Sequence, residues 1–209
     1  DVYYYCLSVL SLLAGFVNAL DSSVLIPEAI HLATQKGREE SMRFLNFFLY
    51  LFLGLSAILT IAMAIRPASF FALFSRFDPA LLQTHSLIVA WALPFFGLQV
   101  VSQYLSDILS AHKHFSLPMA LGISNRILIL VFLIAFHRSL DVLSILIGST
   151  VAFSVQIAAT IWIMRTTLHW DFRTRWVTVE RRVRDNIGIA QVGNLASSLA
   201  VFVPTFLLS

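Results

Sequence analysis

Long apolar runs alternate with short polar connections along the chain. The runs at 47–65, 86–110, 118–136, 142–164 and 187–208 have the length, roughly 20 residues, that carries an α-helix across about 30 Å of hydrocarbon. A further run at 3–30 is interrupted by Asn18, Asp21 and Pro27. That pattern predicts a kinked or partly interfacial first helix. The expected fold is all-α: a polytopic membrane bundle of about six transmembrane helices in a single unit, 1–209, with no room for a second folded domain. Between 67 and 84, "PASFFALFSRFDPALLQT" reads as a short amphipathic helix at the outer interface, with Phe70, Phe71 and Phe74 on its buried side.

Composition supports this pattern. Hydrophobic residues make up 58% and charged residues 12% of the chain, against about 25% charged in soluble domains. Mean hydropathy is +0.84. The net charge of +3 matters less than its distribution. Lys36, Arg38, Arg43, Lys113, Arg165, Arg173, Arg175, Arg181, Arg182 and Arg184 fall in alternate connections, ten in all, against three, Arg66, Arg76 and Arg138, in the others. The positive-inside rule therefore puts 31–43, 111–117 and 165–185 in the cytoplasm and Asp1 on the outer side. An outer start without a signal sequence predicts a chain cut before its first residue. Trp170, Phe172 and Trp176 interleave with the arginines of the last connection, which suits a segment lying against anionic headgroups and not nucleic acid. The single Cys6 excludes an internal disulfide.

Chemistry inside the spans is sparse. Gln99, Gln103 and Asp107 recur every four residues beside Ser102, Ser106 and Ser110, so one face of that helix is polar for about three turns. Such a face turns to a bundle interior or a wet cavity, since lipid offers no hydrogen-bond partners. In "GISNRILILVF", Arg126 lies eight residues past Pro118, about 12 Å along the helix. An arginine at that depth costs roughly 2.5–3.5 kcal/mol and needs an acid such as Asp107 or Asp21, or an anionic ligand for its fork of donors. Ser8, Ser11, Ala14, Gly15, Asn18 and Ser22 form a small-residue stripe expected to pack closely. His112 and His114 stand two apart, a poor spacing for a metal pair, and are expected at the headgroups. No HExxH, GxSxG or Walker-type motif is present.

Several stretches resemble the MurJ/MviN family of lipid-linked oligosaccharide flippases, within the wider multidrug and polysaccharide exporter superfamily. "DVYYYCLSVLSLLAGFVNALDSSVLIPEAIHLATQKGREESMRFLN" is similar to the family's "DAFF" start, its second helix, its "FVP" and the glycine-acidic stretch of its first cytoplasmic loop. In "LPFFGLQVVSQYLSDILSAHKHFSLPMALGISN", Pro94, Phe115, Ser116, Pro118 and Asn125 match the proline of the fourth helix, the "RFSIPA" run and the asparagine of the fifth. Gln156, Gly188 and Gly193 match a glutamine of the sixth helix and the glycines opening the seventh. Ala14 and Gly15 stand where lipid II flippases have a pair of arginines.

The resemblance implies one N-terminal lobe of a V-shaped transporter of about fourteen helices, truncated at both ends and partnered by a missing C-terminal lobe. It implies alternating access for a polyprenyl-pyrophosphate-linked sugar, lipid II or another cell-wall or polysaccharide precursor, in the bacterial inner membrane. No cofactor is implied, only a coupling ion or the membrane potential. The cavity candidates are Arg126, Gln99, Gln103, Asp1, Asn125 and Asp107, with Asp1 named by the resemblance. Membrane lipids are the other expected partners, and nucleic acid is not one. Two further classes stay open on sequence alone: a membrane-embedded transferase using Asp107 and the nearby histidines, and a non-transporting scaffold of the same fold.

Overall fold

The computed structural model describes residues 2–66, 70, 86–173, 183–194 and 196, with helices and connections but no strand among them. Helix α1 (Val2–Leu20) runs through a π-helical turn (Asp21–Leu25) into α2 (Ile26–Gln35). Pro27, in the first turn of α2, accounts for the π turn. Its ring has no N–H to give and crowds the carbonyl one turn back; the wider turn before it relieves both while the chain stays helical. Gly37 at φ +94° then reverses the chain, in a backbone region that favours glycine. Helix α3 (Arg38–Ile65) returns beside α2, where the Ser41 hydroxyl donates to the Ala29 carbonyl at 2.7 Å.

After α3 come α4 (Ser86–Ala111), α5 (Ser116–Leu140) and α6 (Leu143–Thr167), then a helical stretch at 183–194. Helices α3, α4, α5 and α6 are each long and apolar enough to cross a membrane, and α1 contributes the shorter apolar segment Tyr5–Gly15. The chain is an all-α membrane bundle. Of the expected amphipathic helix at 67–84 only Phe70 lies within the described residues, and the run at 187–208 is described only as far as 196.

Helix α4 organises the packing, touching α1, α3 and α6. Tyr104 is fully buried there; its ring meets Phe52 of α3 edge-on at 5.1 Å and its hydroxyl donates to the Leu45 carbonyl at 2.9 Å. On the α6 side Phe95 meets Phe153 at 5.5 Å. Helix α5 packs chiefly on α6. Gly148 sets their separation, because a Cβ on it would lie 2.9 Å from the Phe132 Cβ. Dispersion between closely apposed backbones is what holds such pairs in lipid, where no hydrophobic drive remains.

The small-residue stripe of α1 behaves differently from its sequence expectation. Ser8, Ser11 and Gly15 are exposed, and nothing lies within 4 Å of a Cβ built on Gly15. Ala14 of the stripe does enter the core, beside Tyr5, Cys6, Val9 and Leu10. In α1 the volume of apolar side chains, rather than the absence of side chain, decided which face packs.

The basic connections meet at one end of the bundle. The Arg38 guanidinium donates to the Leu168 carbonyl, the His112 ring stands edge-on to Trp170 at 5.3 Å, and Trp170 donates its indole N–H to Asn46 Oδ1 at 2.8 Å. Trp170 is only 4% exposed. The expected lipid-facing role of this tryptophan is thus corrected: an indole whose N–H is satisfied by a buried amide packs more favourably inside the bundle.

Candidate functional site

The polar residues of the spans divide into those that satisfy one another and those left open. Asn125 belongs to the first group. It is buried and donates from Nδ2 to Gln156 Oε1 at 2.8 Å, a crossing bond between α5 and α6 that fixes their register. The Ser106 and Ser110 hydroxyls donate back to the carbonyls of Ser102 and Ser106 at 2.9 and 3.0 Å. They make the helix locally self-sufficient and present little to a ligand.

The rest of the α4 face stays available. Gln103 is exposed and donates from Nε2 to Asp107 Oδ1 at 3.0 Å, one turn on. Asp107 is half-buried, and among the described residues it has no ion pair with Lys113 or Arg126. Gln99 is half-buried with its Oε1 covered and without a hydrogen-bond partner among the described residues. Asn18 Oδ1 of α1 and Asn194 Nδ2 are in the same condition. A buried amide atom without a partner costs about 1–3 kcal/mol and calls for water or ligand. Asn18, read in the sequence as an interruption of the first run and as part of a packing stripe, was not among the cavity candidates, and neither was Asn194.

Arg126 sits on α5, about 100° around the helix from Asn125. Asn125 marks the packed side; Arg126 is exposed, on the side that also shows Met119, Ile123, Ile127 and Leu130. Among the described residues its guanidinium has no hydrogen bond and no carboxylate partner. The ion pair with Asp107 that the sequence left open is therefore not formed. Five donors remain free on an otherwise apolar face of a spanning helix. The structure does not bring Arg126 and the α4 face into contact, and Asp1 lies outside the described residues.

A separate cavity of about 460 Å³ opens between the π turn, α2 and the 183–194 stretch, lined by Ser23, Pro27, Glu28, His31 and Asn186 among others. Glu28 is buried and its carboxylate stands 4.0 Å from His31 Nδ1. Among the described residues no three His, Cys, Asp or Glu side chains gather as a metal site.

The open polar groups can hold hydrogen bonds and an anionic charge, and nothing in their arrangement couples a nucleophile to a base. Compared with protein families, residues 2–209 match the family described as lipid II flippase MurJ. No curated protein and no solved structure matches the chain.

Proposed function

Since the chain belongs to the lipid II flippase MurJ family, whose members are transporters and not enzymes, we propose that it forms the N-terminal lobe of a flippase for a polyprenyl-pyrophosphate-linked sugar in the bacterial inner membrane. The cargo is lipid II or another cell-wall or polysaccharide precursor. A second, C-terminal lobe rocks against this one, and the headgroup passes between them by alternating access. Drive comes from the membrane potential or a coupled ion, so no covalent step falls to these residues.

The observation that carries the proposal is the unpaired Arg126 on the exposed face of a spanning helix. A guanidinium pairs a diphosphate through two parallel N–H···O bonds, each charge-assisted. Ala14 and Gly15 stand where the resemblance places an arginine pair, and Arg126 supplies a cation from another helix. Gln99, Gln103 and Asp107 offer neutral and acidic partners suited to sugar hydroxyls.

Full-length protein in liposomes, without nucleotide, is expected to move a fluorescent polyprenyl-diphosphate disaccharide to the opposite leaflet and leave it chemically unchanged. A modified lipid would indicate transferase chemistry. Folded protein that moves no lipid would indicate a scaffold, and either result contradicts the proposal.

A further inference from the structure

Beyond cargo, the basic end of the bundle carries a second arrangement of charge. Leaving α6, residues 168–173 run alongside α3 and are fastened to it: Asn46 Nδ2 donates to the carbonyls of Asp171 and Arg173 at 2.6 and 3.0 Å, and the Tyr50 hydroxyl donates to the Phe172 carbonyl at 3.0 Å. The apolar run of α3 begins at Phe47. Asn46 thus marks the hydrocarbon boundary and Tyr50 sits about one turn inside it, the depth at which tyrosines anchor. The fastened segment lies at headgroup level.

A trough of about 820 Å³ opens there, lined by Tyr50, Arg165, His169, Asp171, Phe172 and Arg173 among others. Arg165 lies over the Phe172 ring with its Cζ 5.5 Å from the centroid, which holds the cation in place without neutralising it. Asp171 receives the backbone N–H of Arg173 at 3.0 Å. Among the described residues neither Arg165 nor Arg173 has a carboxylate partner. The adjoining trough shares His169, Asp171 and Arg173 with this one and adds Arg43, which is paired to Glu40 at 2.6 Å and Glu39 at 3.4 Å. Arg165 and Arg173 thus line the trough as two cations without an ion pair among the described residues, against the single carboxylate of Asp171.

We propose that this trough binds the phosphate of an anionic phospholipid in the leaflet at the basic end. Arg165 and Arg173 hold the phosphate oxygens, and the Tyr50 ring lies beside the acyl ester region. A bilayer phospholipid fits better than the sugar-bearing cargo because the lining is open and Tyr50 is 43% exposed, with exposed Leu51 and Leu53 beside it on α3. Binding here is separate from cargo transport and does not need Arg126.

Native mass spectrometry of the full-length protein released from mixed phosphatidylglycerol and phosphatidylcholine bilayers tests it. Wild type is expected to retain phosphatidylglycerol after extensive delipidation. Arg165→Gln with Arg173→Gln is expected to weaken that retention about thirtyfold, and Arg165→Lys with Arg173→Lys to restore most of it. Because these side chains are exposed, thermal unfolding in pure phosphatidylcholine is expected to be unchanged. Equal retention by wild type and the Gln pair, equal retention of both lipids by wild type, or displacement of phosphatidylglycerol by millimolar inorganic phosphate would each overturn the proposal.

Discussion

Asn46→Ala is expected to destabilise the full-length protein by about 3 kcal/mol. Asn46 is 1% exposed and serves three groups at once: it receives the Trp170 indole N–H at 2.8 Å and donates to two backbone carbonyls at 2.6 and 3.0 Å. Alanine leaves all of them without a partner. Each orphaned buried group costs about 1–3 kcal/mol, and water entering from the nearby headgroups relieves part of it. Trp170→Phe removes only one of these bonds and is expected to cost about 1 kcal/mol. Thermal unfolding in a defined detergent or nanodisc reads both. An Asn46→Ala protein within about 0.5 kcal/mol of wild type would mean that the linker is not held as described.

The second large effect concerns transport. Arg126→Ala is expected to slow flipping of a polyprenyl-diphosphate sugar by about ten- to a hundredfold at unchanged abundance, because a charge-assisted hydrogen bond contributes about 1.5–3 kcal/mol. Arg126→Lys keeps the charge but loses the planar fork, so an intermediate rate is expected. Arg126→Leu is expected to flip as poorly as alanine without a gain in thermal stability, since a guanidinium facing water does not carry the roughly 2.5–3.5 kcal/mol cost of one facing lipid. Normal flipping by the alanine variant together with higher stability of the leucine variant would make Arg126 incidental to transport.

Much of the bundle could be read from hydropathy because α3, α4, α5 and α6 are long, predominantly apolar segments, and a helix in lipid must satisfy its backbone internally. The polar side of α4 was visible too, through the four-residue spacing of Gln99, Gln103 and Asp107. Pairings between distant positions were not. Trp170 and Asn46 are separated by 124 residues, and nothing local distinguishes a tryptophan that faces headgroups from one that enters the core. Gly15 and Gly148 look alike in sequence, yet the first faces open space and the second lies against Phe132; the difference comes from which helix lies opposite. Asn125 and Arg126 are adjacent, and one step around the helix separates a buried interhelical bond from a free cation. That step depends on where α6 packs, which periodicity in α5 alone does not reveal because its residues are apolar on nearly every side.

A role for Arg126 in transport requires the open side of α5 to be wet and within reach of cargo. Cysteine at this position in full-length protein probes both conditions, since Cys6, the one cysteine of residues 1–209, is buried and shielded from reagent. Arg126→Cys is expected to react with a charged, membrane-impermeant thiol reagent, and a polyprenyl-diphosphate sugar is expected to slow that reaction. Modification only by a lipid-soluble maleimide, with no protection by the sugar lipid, would place the residue against acyl chains and contradict that role.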